Sequence, residues 1–394
     1  MFKAATHHRV KTVKPHYLQV AILFITLFVL LKSTTGQTDT FSTFKPVEPL
    51  AAHKLFLTIE STGFLKNNEY FSRFAYGYTG IGIYFKPTLN YYFSNNLNLS
   101  AGIYMLKYAG LDHLTQAIPV FSIRYKPVKS LNIIIGNIYG TANHKLAEPL
   151  FRYDNFYQHH MEYGVQFLWN STRVKSDLWL NWRNFIQLGD TTQEELTVGS
   201  STIFTVLNKS SLKIEMPVQF LFNHKGGQLA PAPRPSIQTI FNGYAGVLFS
   251  YRLNKNWTIG LSQDVALYSG LSYNENQGIN YLPFKNGWGL YTKATLQWKN
   301  FHLMTGFWQA NSFIAPLGET QFQSVSEINP DVISKNRQMV TSKLWYTKTI
   351  VKGAAIEVRF EDYYDTQNHS FDYSYGLWLK INSSFFITKT KSLP

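Results

Sequence analysis

From Leu55 to Ile387 the chain consists of long alternating segments joined by two kinds of connection in strict turn. One kind is tiny: Ser94-Asn95-Asn96, Ser171-Thr172-Arg173, Asn208-Lys209-Ser210, Asn254-Lys255-Asn256, Lys299-Asn300 and Val351-Lys352-Gly353. The other kind is longer and more varied. Tight connections at one end and loose ones at the other are what an antiparallel up-and-down barrel spanning a membrane produces. The segments read as strands are 53–63, 81–93, 97–107, 114–126, 131–140, 158–170, 174–187, 195–207, 211–224, 237–253, 257–269, 284–298, 301–313, 337–350, 354–365 and 371–387. They set the expected fold as an all-β transmembrane barrel of about 16 strands, with 14–18 as the range.

Alternation supports the strand reading. In 211–224, Leu212, Ile214, Met216, Val218, Phe220 and Phe222 share one face, and Lys213, Glu215, Gln219 and Asn223 the other. In 354–365, Ile356, Val358 and Phe360 oppose Glu357, Arg359 and Glu361. Period two with a polar face marks a strand. These strands are longer than those of most globular proteins and suit a tilted membrane crossing. Aromatic residues flank the short turns, with Tyr92 and Phe93, Trp169, Tyr251 and Trp257, and Trp298 and Phe301. Such rings belong at the headgroup level.

Composition agrees. Charged residues make up only 15%, while there are 30 Phe, 25 Tyr and 9 Trp. There is no cysteine, which excludes disulfides, lipidation at cysteine and Cys-based metal centres. The N-terminus reads as a targeting segment. Lys3, Arg9, Lys11 and Lys14 precede an apolar run from Val20 to Leu31, too short for a spanning helix. Small and polar residues follow, so a cleaved signal peptide is expected over 1–36. Its removal takes away five basic residues and no acid, so the formal charge falls from +14 to +9. A lead-in over 37–52, a barrel over 53–388 and an extension over 389–394 complete the organisation. The basic balance suits an anionic outer-leaflet glycolipid. No basic helix or stacking motif points to nucleic acid.

The signal ending Thr34-Thr35-Gly36-Gln37, the ladder of strands and their aromatic content resemble a porin-like outer membrane barrel of the Bacteroidota type. The resemblance covers nearly the whole chain after the signal. It implies short turns and N-terminus in the periplasm and long loops outside. One departure is that Lys389 to Pro394 extend past the last aromatic strand.

Strand parity places Arg124, Lys175, Asp177, Arg183, Lys213, Glu215, Asp264, Lys293, Lys343, Glu357, Arg359, Glu361 and Lys380 in the lumen. Inward placement avoids the cost of a charge facing lipid. The mixed signs suit either a wet pore with modest anion preference or an interior ion-pair network. The loop carrying Glu148, Phe151, Arg152, Tyr153, Asp154, Phe156 and Tyr157 mixes acids, an arginine and aromatic rings. It is a candidate for packing, for constricting the lumen or for contacting a ligand such as a glycan. Tyr273 to Tyr281 has similar composition without an established metal-loop spacing. His224-Lys225-Gly226-Gly227 suits a turn or a small anion nest.

His159, His160 and His369 lie near loop-side strand ends, and Ser370 and Asp372 follow His369. Neighbours on a strand face opposite ways, and no H-E-x-x-H, G-x-S-x-G or P-loop occurs. The sequence thus leads to the expectation of a non-enzymatic, porin-like channel for small polar solutes, with no metal and no cofactor. One alternative is a barrel that binds surface glycan or anchors an envelope or secretion assembly with protein partners. A second is an outer membrane enzyme that modifies lipid. Outer membrane lipid and lipopolysaccharide are the expected surroundings in every case.

Overall fold

The computed structural model describes residues 52–227, 237–273 and 282–390. The expected signal peptide, most of the lead-in, the last residues and the loop centres at 228–236 and 274–281 lie outside them. Among the described residues sixteen strands occur, the first eight being β1 (Lys54–Glu69), β2 (Tyr78–Tyr92), β3 (Leu97–Tyr108), β4 (Gln116–Val128), β5 (Leu131–Asn137), β6 (Tyr163–Asn170), β7 (Val174–Asn184) and β8 (Glu194–Asn208). The second half is β9 (Leu212–Gly226), β10 (Gln238–Arg252), β11 (Trp257–Gly270), β12 (Asn286–Trp298), β13 (Phe301–Asn311), β14 (Asn336–Val351), β15 (Ala354–Asp365) and β16 (Ser370–Lys389). Each strand pairs antiparallel with its sequence neighbours, and β1 closes on β16 from Lys54↔Lys389 to Glu69↔Tyr373. Closure leaves no sheet edge, the condition for crossing lipid with strands.

The expected strands match these one for one, but boundaries move at two places. β1 runs six residues further than its alternation suggested, and β2 starts earlier. β5 stops at Asn137 and β6 starts only at Tyr163, because residues 138–162 leave the wall. Gly136 makes that exit possible. Its φ is +97°, and a Cβ there would lie 2.4 Å from the Phe121 carbonyl oxygen.

The wall is apolar outside. Ile81, Ile83 and Phe85 of β2 and Leu377, Leu379 and Ile381 of β16 are exposed on it. At the short-turn end, Trp257, Trp298, Phe301 and Tyr346 form a continuous ring-to-ring belt, with centroids 5.7, 5.6 and 4.7 Å apart in that order. Amphipathic rings at this level match a membrane interface.

The interior holds a packed core. Loop 138–162 folds inward through short helical turns at Thr141–His144, Glu148–Leu150 and Asn155–Gln158. It buries Leu150, Phe151, Phe156 and Tyr157, and Tyr157 stacks on Phe64 of β1 at 4.5 Å. Loop 312–335 comes in from the opposite wall. Its Phe313 and Phe322 pack on the fully buried Trp308, each with ring centroids 5.3 Å away, and the Trp308 indole donates to the Phe322 carbonyl. The two loops meet where Arg152 N–H donates to the Leu317 carbonyl and Glu319 N–H to the Glu148 carbonyl. A fully buried aromatic side chain contributes roughly 1.5–3 kcal/mol, so these rings hold the loops inside the barrel.

Candidate active site

The charged residues assigned to the lumen by parity form two groups. Most sit in ion pairs. Glu361 is held by Lys66 at 3.1 Å, Lys343 at 2.9 Å and Arg359 at 3.4 Å. Glu357 is held by Arg359 and Lys380, both at 2.7 Å. Lys293 pairs with Asp264 at 3.0 Å and Lys213 with Glu215 at 2.7 Å. Asp177 receives His144 Nδ1 at 2.7 Å. Among the described residues Arg124 donates only to neutral oxygens, while Lys175 and Arg183 are exposed, Arg183 lining a cavity of about 390 Å³ at the loop end.

The candidate loop contributes to this interior. Glu148 pairs with Lys343 and accepts from Tyr291, and Arg152 pairs with Glu327. Tyr153 lies over Lys343 and Arg359, with cation-to-ring distances of 5.4 and 4.9 Å. Asp154 accepts from Asn68 and Tyr157, and Phe156 packs on Tyr84. The segment thus folds into the lumen and packs there through these contacts.

His144 shows how the loop is fastened. Its ring stacks on Trp179 at 3.5 Å and bonds Asp177 and Glu162 through both nitrogens. Burial pulls its pKa down, but the Asp177 and Glu162 carboxylates outweigh burial and raise it to about 9. Burial also raises Glu162, and His144 more than reverses that, so its carboxyl sits below the usual range. His144 is therefore a clasp and no general base. The three histidines weighed for catalysis are scattered. His160 bonds Glu60 and the Phe156 carbonyl, His369 reaches Tyr364 at 3.5 Å, and His159 lines the loop-end cavity. Among the described residues none of the three bonds a serine or threonine hydroxyl. The 274–281 part of the Tyr273 to Tyr281 segment lies outside the described residues.

The residues that sequence reasoning missed are on the outside. Past Leu65, β1 continues as Lys66-Asn67-Asn68-Glu69. Lys66 and Asn68 point inward to Glu361 and Asp154. Asn67 and Glu69 therefore share the outer face with Leu65. Asn67 Nδ2 donates to Glu69 Oε1 at 2.7 Å and to the Tyr375 hydroxyl at 2.9 Å. Asn67 Oδ1 accepts from Thr79 Oγ1 at 2.6 Å. Register explains the cluster, because Asn67 is opposite Thr79 on β2 and Tyr375 on β16. One step nearer the loops, Glu69 is opposite Tyr373, Tyr373 opposite Asp362, and Asp362 opposite Ser342. A polar row thus crosses the outer wall from β1 to β14 at the loop end.

Two features give this cluster chemical capacity. Glu69 uses one carboxylate oxygen on Asn67, and among the described residues the other has no partner. The Tyr375 hydroxyl accepts from Asn67, so its own proton is free to be donated outward. A base and a donor lie on either side of one amide, in a wall that otherwise faces lipid. The sequence signal was the polar run Lys66 to Glu69. Polar residues on both faces hid the strand and gave the appearance of a loop.

Among solved structures, the outer membrane protein OprD from Pseudomonas aeruginosa superposes with a TM-score of 0.50 at 8% identity, covering 89% of this chain and 98% of that one. The outer membrane protein opdK from the same organism gives 0.49 at 10% identity over 85% and 100%. A loop-deletion mutant of OmpT from Vibrio cholerae gives 0.48 at 11% identity over 84% and 99%. The OprD likeness establishes the outer membrane barrel fold alone. No curated protein matches the sequence. The sequence profile of the lipid A 3'-O-deacylase-type family matches residues 47–390. That family is an enzymatic one, and it overturns the expectation of a non-enzymatic barrel. No contiguous motif marks the outer-wall polar groups, which come together only through register across three strands. The match spans the whole barrel, and the chain belongs to the lipid A 3'-O-deacylase-type family.

Proposed function

We propose that this protein is an outer membrane esterase that removes an acyl chain from lipid A or a closely related acylated glycolipid. The observation that carries the reading is the Asn67, Glu69, Thr79 and Tyr375 cluster on the outer wall at the long-loop end. The ester of an acylated sugar lies between the acyl layer and the headgroups. A catalytic group for it must face lipid, at interfacial depth, on the leaflet where the glycolipid resides. In the orientation usual for such barrels, with short turns periplasmic, the cluster lies at that leaflet.

The chemistry needs no nucleophilic serine. Glu69 takes a proton from a water molecule, whose oxygen attacks the ester carbonyl. Tyr375 donates its hydroxyl hydrogen to the oxygen that becomes negative. Collapse of the tetrahedral intermediate breaks the bond to the sugar oxygen. Glu69 returns its proton to that leaving oxygen, and the products are a free fatty acid and a sugar hydroxyl. Asn67 positions both groups, and Thr79 fixes the rotation of the Asn67 amide.

An open porin-like channel is the less favoured reading. Two loops cross the lumen and bury aromatic side chains there, and most of its charges neutralise one another. Barrels plugged by their own loops are a known variant of the architecture. The test is to incubate the purified, refolded barrel with lipid A in detergent and follow it by mass spectrometry. Loss of one acyl mass, with release of the matching fatty acid, is expected. An unchanged lipid, together with ohmic conductance of the same preparation in a planar bilayer, would reverse the choice.

A further inference from the structure

A cavity of about 180 Å³ lies at the short-turn end of the lumen, on the far side of the inward loop from the loop-end cavities. It is lined by strand residues of β1 to β5 and β16, by the start of loop 138–162 and by His160 near its end. Its charge does not balance. Lys86 and Arg124 line it as cations, and among the described residues Glu60 is the one acid in the lining. Glu60 is already saturated. Its Oε2 holds Lys86 at 2.8 Å, and its Oε1 accepts from His160 at 3.1 Å and from Tyr84 at 3.2 Å.

Arg124 is left with no carboxylate. Its Nη1 donates to the Tyr139 hydroxyl and its Nη2 to Asn90 Oδ1, each at 2.6 Å, and Nη2 also reaches Ser100 Oγ. These acceptors are neutral, and the buried Nε–H has no acceptor. Of the five donors of a guanidinium, three are used to fix its position and none meets a counter-charge. Placing a rigid cation in a semi-enclosed cavity without an anion is costly unless water or a ligand supplies the compensation. Ser122, Thr88 and Asn137 add hydroxyl and amide groups around it.

We infer that this cavity is a binding site for a phosphate group, as inorganic phosphate or a small phosphate ester, with Arg124 as its anchor. The planar guanidinium suits a phosphate better than a point charge does. The inference does not depend on the proposed esterase activity, because the cavity and the outer cluster share no residue.

Isothermal titration of the folded barrel in detergent with inorganic phosphate, at low salt, tests it. Saturable binding is expected for the native protein, weakened at least about tenfold in Arg124→Gln, the scale of losing hydrogen bonds to a charged group. Arg124→Lys keeps the charge and loses the fork, and a several-fold weakening is expected. Ser122→Phe leaves Arg124 in place but fills the cavity, and should abolish binding. Circular dichroism and heat-modifiable migration establish that each variant is folded. Absence of saturable binding to the native barrel, or equal affinity in all folded variants, would overturn the assignment.

Discussion

Glu69→Gln is the sharpest test of the outer-wall site. Glu69 Oε1 accepts from Asn67 Nδ2 at 2.7 Å. Glutamine carries an oxygen at the same place, so that hydrogen bond survives and the strand register has no reason to change. What disappears is the capacity to take a proton at the second oxygen. A positioned general base contributes about 10²–10⁴ in rate, which is roughly 3–5 kcal/mol of barrier. The expected result is therefore a barrel that folds normally and deacylates at least about a hundredfold more slowly. Initial rates follow from the mass-spectrometric loss of one acyl chain from lipid A in micelles. Asp362→Asn is the matched control. It removes an outward carboxylate from the same row, but two strand spacings, about 10 Å, from Glu69. At that distance it cannot hold the same water. A Glu69→Gln rate within about threefold of native would refute the role given to Glu69. So would a pattern in which Asp362→Asn abolishes activity and Glu69→Gln spares it.

Tyr375→Phe removes the outward donor and the acceptor of Asn67 Nδ2 while keeping the ring, and a loss of about 10²–10³ in kcat is expected with at most about 1 kcal/mol of stability lost; steady-state kinetics on lipid A check it. The His144 clasp predicts a pH dependence of the inner loop. Its folded pKa of about 9 lies above the ordinary histidine value of 6.5, so its stabilisation is complete below about 6.5 and fades as pH rises through about 9. Hydrogen exchange of residues 138–162 should accelerate across that window, and His144→Gln should flatten the response. Glu361→Gln leaves Lys66, Lys343 and Arg359 in the barrel without their shared carboxylate. A loss of about 3–5 kcal/mol is expected, read as a lower denaturant midpoint by tryptophan fluorescence; an unchanged midpoint would mean the cluster is solvated.

What was legible in the sequence follows from what a membrane imposes. Alternation must hold wherever one face meets lipid and the other meets water or protein, so all sixteen strands could be found. The rule weakens where a polar group faces lipid for a reason of its own. At Lys66-Asn67-Asn68-Glu69 both faces are polar, the inner one for the Glu361 and Asp154 contacts and the outer one for Tyr375 and Thr79. Alternation ends there, but the strand runs on to Glu69. The site residues could not be assembled in advance, because Glu69 and Tyr375 are far apart in sequence and only barrel closure makes β16 the neighbour of β1. The inward loop was equally opaque. Its composition allowed packing, constriction or ligand contact, and contacts such as those of Arg152 with Leu317 and Glu327 depend on a second loop arriving from across the lumen.

The packed interior and the outer cluster are parts of one device. A strand alternates its faces, so each residue of the cluster has neighbours clamped from inside. Lys66, next to Asn67, is bonded to Glu361 and Ser374, and Ser374, next to Tyr375, is bonded to Glu361 as well. The same carboxylate therefore fixes β1 against β16 directly beneath the hydrogen bond from Asn67 to Tyr375. An empty, breathing barrel would let these two strands slide and twist, and a misplacement of about 1 Å can cost two orders of magnitude in rate. Filling the lumen with aromatic loops and ion pairs gives the outer wall the rigidity that a site built from three strands requires. On the esterase reading proposed above, the packed core braces the outer wall, and the lumen charges around Glu361 hold the two strands that carry Asn67, Glu69 and Tyr375.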